Sequence, residues 1–108
     1  MYHTDIHTHK YLGIEPITIA LDLNLYYQWG VNLFAAPRFY ISIYRDNNLL
    51  FKTQYGVFDS LNIMNQFSNT YLIKVQQNNK IVVLLSKFPE ADNTFTLFEN
   101  SFMKITQV

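Results

Sequence analysis

Every histidine of the chain lies within its first ten residues, at His3, His7 and His9, with Asp5 between them. Imidazole and carboxylate at alternate positions are metal-ligand chemistry. In an extended strand successive side chains leave on opposite faces, so positions 3, 5, 7 and 9 would project together. Three imidazoles and a carboxylate suit Zn²⁺ or Fe²⁺, although one strand rarely closes such a site alone. The simpler expectation is a solvated N-terminal arm with no cofactor. Beyond that arm the acid–base candidates are Glu15, Asp22, Asp59, Glu90, Asp92 and Glu99, placed by the pattern mostly in turns or on wet strand faces. Nothing in their spacing pairs them. With no histidine after His9, a Ser-His-Asp arrangement would have to draw its base from the arm. The glycines, Gly13, Gly30 and Gly56, are scattered and form no phosphate-binding loop. The expectation is a protein without catalytic residues.

The run Asp5-Ile6-His7-Thr8-His9 resembles the Asp-x-His-x-His metal-binding opening of amidohydrolase-like and polymerase-and-histidinol-phosphatase-like hydrolases. That resemblance implies a metal-dependent hydrolase whose site is completed by later His and Asp residues at the strand ends of an α/β barrel. The chain departs from the pattern after its fifth residue of likeness: it has no later histidine and no alternation of strands with helices. Its 108 residues also fall short of the roughly 200 or more that a (β/α)₈ barrel needs. His7 and His9 are similar, too, to the His-x-His pairs of phage tail fibres. There the likeness implies an iron shared at a three-fold axis, two ligands from each chain.

The composition narrows the field further. Eight Lys+Arg against eight Asp+Glu leave no basic field to attract nucleic acid or an anionic membrane. Zero cysteines exclude disulfides, thiolate metal sites and cysteine nucleophiles. No apolar run approaches the roughly 18 residues needed to span a bilayer, and the polar N-terminus is unlike a signal peptide, so a soluble protein is expected. A hydrophobic fraction of 49% with 17% aromatics is the composition of a folded domain. Only 15% of residues are charged, and the polar surface falls largely to Asn and Gln. Such a surface repels its neighbours weakly, as suits a subunit of an assembly.

The elements that would position any site are strands. Ile17 to Trp29 places an apolar residue at every second position, the signature of a half-buried strand. At about 3.3 Å per residue it would span about 40 Å, well beyond the usual strand. That surplus predicts either a bend near Leu23 to Tyr27 shared by two sheets or a partner molecule covering one end. Arg38 to Arg45 and Leu49 to Tyr55 flank the turn signal Asp46-Asn47-Asn48 and read as a hairpin. Thr70 to Gln76 and Lys80 to Lys87 read as a second, across Gln77-Asn78-Asn79, and Thr94 to Phe98 with Phe102 to Val108 as a third. The unbroken apolar run Ile81 to Leu85 predicts a central strand. The spacing of Leu61, Met64 and Phe67 allows at most one short helix near residues 59–67.

These elements predict an all-β fold: an antiparallel β-sandwich or flattened barrel of about 7–9 strands. Residues 1–12 would be an N-terminal arm or edge strand, and 13–108 a single domain. Tyr26, Tyr40 and Tyr44 fall opposite the core phase of their strands and are the candidate interface residues. The functional expectation is a non-enzymatic structural or adaptor subunit that binds other protein chains, a homo-oligomer or part of an assembly such as a phage particle or other virion. A small carbohydrate- or protein-binding β module is the alternative, and the hydrolase a third.

Overall fold

A computed structural model describes residues 2–30, 38–55, 63–88 and 95–108, with the side chains of all of these except 2–7 and 88. Eight strands run in order: β1 (Tyr2–Lys10), β2 (Ile17–Gln28), β3 (Arg38–Arg45), β4 (Asn48–Tyr55), β5 (Met64–Val75), β6 (Lys80–Phe88), β7 (Thr96–Leu97) and β8 (Phe102–Gln107). They form two antiparallel sheets. One has the order β1-β6-β3-β4; in the other β2 is central, with β5 on one edge and β7 and β8 in succession on the other. The all-β sandwich that the alternation predicts is the fold observed.

Its core is built from one phase of β2, β3, β5 and β6. Ile19, Leu21, Leu23, Leu25, Tyr27 and Trp29 alternate with half-buried residues along β2 and its end, and they meet Phe39, Ile41 and Ile43 of β3 and Ile81, Val83 and Leu85 of β6. Each fully buried aliphatic or aromatic side chain contributes about 1.5–3 kcal/mol of transfer free energy. The period of two therefore fixes both which face turns inward and the register. β6 lies between β1 and β3, the central position expected for the run Ile81 to Leu85. Val82 and Leu84, on its outward face, are only half-buried.

Four expectations need correction. The surplus length of β2 calls for neither a bend nor a partner, because β5 pairs with it from Ile17↔Val75 to Gln28↔Met64 without interruption. The 12-residue length of β5 was hidden by the helix-like spacing of its first residues. Of the short helix expected near 59–67, residues 59–62 lie outside the described residues, and Met64 to Phe67 are strand. Met64 is exposed and Phe67 buried, the alternation of a pleat. An open edge on β2 offers those backbone groups hydrogen bonds along its whole length, which outweighs a single helical turn.

The second and third hairpins are not formed either. β5 and β6 belong to different sheets, so Gln76 to Asn79 is an arch from one sheet to the other. Asn78 takes φ 70°, a left-handed conformation that Asn tolerates. Its N–H donates to the Tyr11 carbonyl at 2.8 Å, while the Tyr11 N–H donates to the Asn79 carbonyl at 2.9 Å. The apolar rows on both sides of the turn thus face each other across the core instead of lying side by side. β7 and β8 both pair with β2, as one strand interrupted at residues 98–101. The Ser101 hydroxyl fills the gap in the ladder: its Oγ accepts from the Tyr26 N–H at 2.9 Å. The Tyr26 carbonyl in turn takes the Phe98 N–H at 2.8 Å. Ser101→Ala strands a part-buried N–H and is expected to cost about 1–2 kcal/mol, read as a lower urea midpoint at unchanged m-value.

The turn between β3 and β4 is latched to this arch. Asp46 accepts from the Lys80 N–H through Oδ1 at 3.0 Å and from Asn79 Nδ2 through Oδ2 at 3.0 Å. Beside it, Arg45 Nη1 donates to the Lys74 carbonyl at 2.7 Å and ties the first sheet to the second. That bond also occupies an outward-facing group of β5, an edge strand. Four residues back along β5, the Thr70 N–H donates to Asn69 Oδ1 at 3.0 Å. Side chains so blunt the edge against pairing with another strand.

Candidate functional site

The N-terminal ligand set is built on an edge strand whose period is broken. β1 pairs with β6 as His3↔Ser86 and Asp5↔Leu84, but then as His7↔Val83 and His9↔Ile81, with a shift between Asp5 and His7. A bulge inserts one residue and reverses the phase of everything after it. The register expected to align positions 3, 5, 7 and 9 is therefore interrupted. The side chains of His3, Asp5 and His7 lie outside the described residues; His9 is half-buried. Among the described residues no group of three His, Cys, Asp or Glu side chains comes together.

The carboxylates do not converge. Asp59, Glu90 and Asp92 lie outside the described residues. Glu15 and Glu99 are exposed in separate loops, and half-buried Asp22 accepts a hydrogen bond from the Thr70 hydroxyl on the outward face of β2. Of the phenols, Tyr55 is displaced in its titration. Burial, and then the neighbouring Tyr71 phenol, push its pKa above the ordinary value. Its ring lies 4.0 Å from that of Phe67, so this is packing chemistry.

The three candidate interface tyrosines are divided between two faces. Tyr40 and Tyr44 stand on the outward face of the β1-β6-β3-β4 sheet, either side of Ser42, in the ladder Tyr40↔Ser86, Ser42↔Leu84, Tyr44↔Val82. Ser42 and Ser86 are 5% and 1% exposed: small residues sunk among Tyr40, Tyr44, Val82 and Leu84. The Tyr40 ring is held from two sides. Arg38 Nε donates to its hydroxyl at 3.0 Å, and the Lys52 ammonium lies 5.1 Å from its centroid. Such clamping lowers the entropy lost when a partner covers the ring. Tyr26 is on the other sheet, opposite Gln66, in a polar row where Gln66 Nε2 donates to Asn24 Oδ1 at 3.3 Å.

Two recesses have no counterpart in the sequence reading. A cleft of about 500 Å³ at one end of the sandwich is lined by Pro16, Ile17, Thr18, Arg45, Val75 and Gln76, with Lys74 and Asn79. A smaller one, about 290 Å³, lies beneath the interruption between β7 and β8, with Leu23 and Leu25 as its floor and Leu97, Phe98, Phe102 and Met103 around it. Alternation identifies Leu23 and Leu25 as core residues but says nothing of a gap above them. That gap follows from the register shift on β2's far edge, for which Glu99-Asn100-Ser101 was the available signal. No family model matches the chain, and neither the curated proteins nor the solved structures contain a detectable match.

Proposed function

We propose that the chain is a non-enzymatic structural or adaptor subunit that binds other protein chains through the outward face of β3 and β6. The observation that supports this reading is the clamped Tyr40 with Tyr44, Val82 and Leu84 on two adjacent central strands. Aromatic residues are enriched and charges depleted at the centres of protein interfaces. The face suits a protein surface that is apolar at its centre, opposite Tyr44, Val82 and Leu84, with the Arg38 and Lys52 charges at the Tyr40 end. A viral particle is one assembly of that kind. Sedimentation of the purified chain from micromolar to millimolar concentration tests the reading directly. Association is expected, and Tyr44→Lys with Leu84→Lys is expected to weaken it at least about tenfold by placing unpaired charges in the contact. A wild-type chain that stays at 12.8 kDa throughout and binds no protein would end it.

A second reading, a carbohydrate-binding module, draws on the opposite face. There Tyr26 stands opposite Gln66 and in one row with Asn24, an amphipathic ring among amide groups. Glycan-array silence would dispose of it.

A further inference from the structure

The segment between β1 and β2 holds apolar side chains out into water on a rigid frame. Leu12 is 71% and Ile14 81% exposed. Between them Gly13 has no room for a Cβ, which would run into the Tyr11 phenol. That phenol donates to the Glu15 carbonyl, so Tyr11 arches over Gly13. Both backbone groups of Tyr11 are meanwhile fixed by Asn78 and Asn79. An exposed aliphatic pair on a flexible loop is unremarkable, since much of any protein surface is apolar. A pair beside a residue tied by three hydrogen bonds, to Glu15, Asn78 and Asn79, is different, because a partner that covers it loses little to ordering.

The recess of about 290 Å³ is complementary to that pair. Its floor is Leu23 and Leu25, 2% and 3% exposed, and Leu97 and Phe102 stand at its rim, 38% and 52% exposed. It has the scale of one or two aliphatic side chains. Charge agrees with shape. The protruding segment is flanked by exposed Lys10 and Glu15, and the recess by exposed Glu99 and Lys104. Each cation can therefore meet an acid when the segment docks. A chain cannot fill its own recess. Leu12 and Ile14 lie before the start of β2, and the recess lies six to eight residues along it, about 20–26 Å away.

We infer that Leu12 and Ile14 of one copy insert into the recess over Leu23 and Leu25 of the next, joining chains end to end. A protrusion on one surface meeting a socket on another is a heterologous contact, which gives a ring if the rotation closes and a filament if it does not. This contact is separate from the outward face of β3 and β6, and it stands or falls without it.

The test uses full-length variants on either side of the contact. Leu12→Asp with Ile14→Asp removes the protrusion; Leu97→Asp with Phe102→Asp spoils the socket. All four positions are at the surface, and retention of the β-sheet circular dichroism spectrum and melting temperature verifies folding. Phe102→Glu alone is the milder socket variant should the double variant not fold. To isolate this contact, all proteins carry Tyr44→Lys and Leu84→Lys. On that background the chain with both ends intact is expected to grow beyond a dimer with concentration. Each end variant alone is expected to remain at 12.8 kDa, and an equimolar mixture of the two to form a 1:1 heterodimer of twice that mass. A mixture that stays monomeric, or a protrusion variant that assembles like the intact chain, overturns the inference. Neither result bears on the β3–β6 face, which the same two lysine substitutions test in the reverse comparison.

Discussion

Phe39→Ala is expected to lower the stability of the chain by about 3–5 kcal/mol, the range for deleting a buried aromatic ring. The side chain is fully buried. Its ring centroid lies 4.8 Å from that of Tyr27, 5.9 Å from Phe67, and 6.0 Å from both Tyr55 and Phe95. These four come from β2, β5, β4 and the segment leading into β7. One ring thus joins both sheets and the approach to the last strands. Edge-to-face contacts such as that with Tyr27, at an interplanar angle of 73°, add about 0.5–1.5 kcal/mol each beyond area burial. Neighbours on four different elements cannot all collapse into the space the ring leaves, so the loss should fall toward the upper end. Against a typical total of about 5–15 kcal/mol, the variant should be largely unfolded at moderate urea. A midpoint shift worth less than about 1 kcal/mol would show that the cluster repacks freely. Phe39→Leu keeps much of the volume and should lose less.

The next largest effect is expected at the latch. Asp46→Ala removes acceptors for the Lys80 N–H and Asn79 Nδ2, bonds worth roughly 1 kcal/mol each at such an exposed site. It also leaves an alanine at φ 55°, a left-handed conformation that costs an ordinary residue about 1–2 kcal/mol. The sum is a loss of about 3–4 kcal/mol. Asp46→Gly separates the two causes, because glycine accepts that backbone and still lacks the carboxylate. Urea titration should rank wild type above Asp46→Gly, and Asp46→Gly above Asp46→Ala. Equal losses in the two variants would place the whole effect in the hydrogen bonds, and losses under about 0.5 kcal/mol in both would show that the latch contributes nothing.

The architecture was legible wherever one face is dry. The alternation along β2, the β3–β4 hairpin with its Asp46-Asn47 turn, and the central place of β6 all follow from side-chain period and turn chemistry. What was not legible is which strands share a sheet. A hairpin and an arch between sheets use the same turn residues, and Gln77-Asn78 serves either; the outcome is decided by Tyr11 bonding the turn from a distant part of the chain. The length of β5 was obscured because Leu61, Met64 and Phe67 have the spacing of a helix, although Met64 and Phe67 fit a strand as well. Only the open edge of β2 discriminates. With β5 in place the surplus length of β2 ceased to argue for a partner, and the functional argument moved to surfaces the sequence does not display. Tyr40 and Tyr44 were placed on one face by phase alone, whereas separating Tyr26 from them required the sheet order. The recess over Leu23 and Leu25 depends on a four-residue interruption in a ladder, and the outward turn of Leu12 and Ile14 on a phenol packed against a glycine. Neither leaves a periodic trace.

The pairing scheme also governs how the chain must be assembled in time. Lys10 pairs with Lys80, Ile17 with Val75, and Ile19 with Gln107, so both sheets close only over long stretches of intervening chain. Among the described residues, no strand pair apart from the β3–β4 hairpin forms without a large loop being closed first, which places the domain among slow-folding topologies. During synthesis β2 leaves the ribosome with both edges open, and its dry face stays exposed until β5 and then β8 have followed. The 12-residue strand that organises the finished sandwich is thus its most vulnerable segment while it is being made. Substitutions that slow the arrival of β5 or β8 would then show first as aggregation of the nascent chain, before any loss of stability in the folded one.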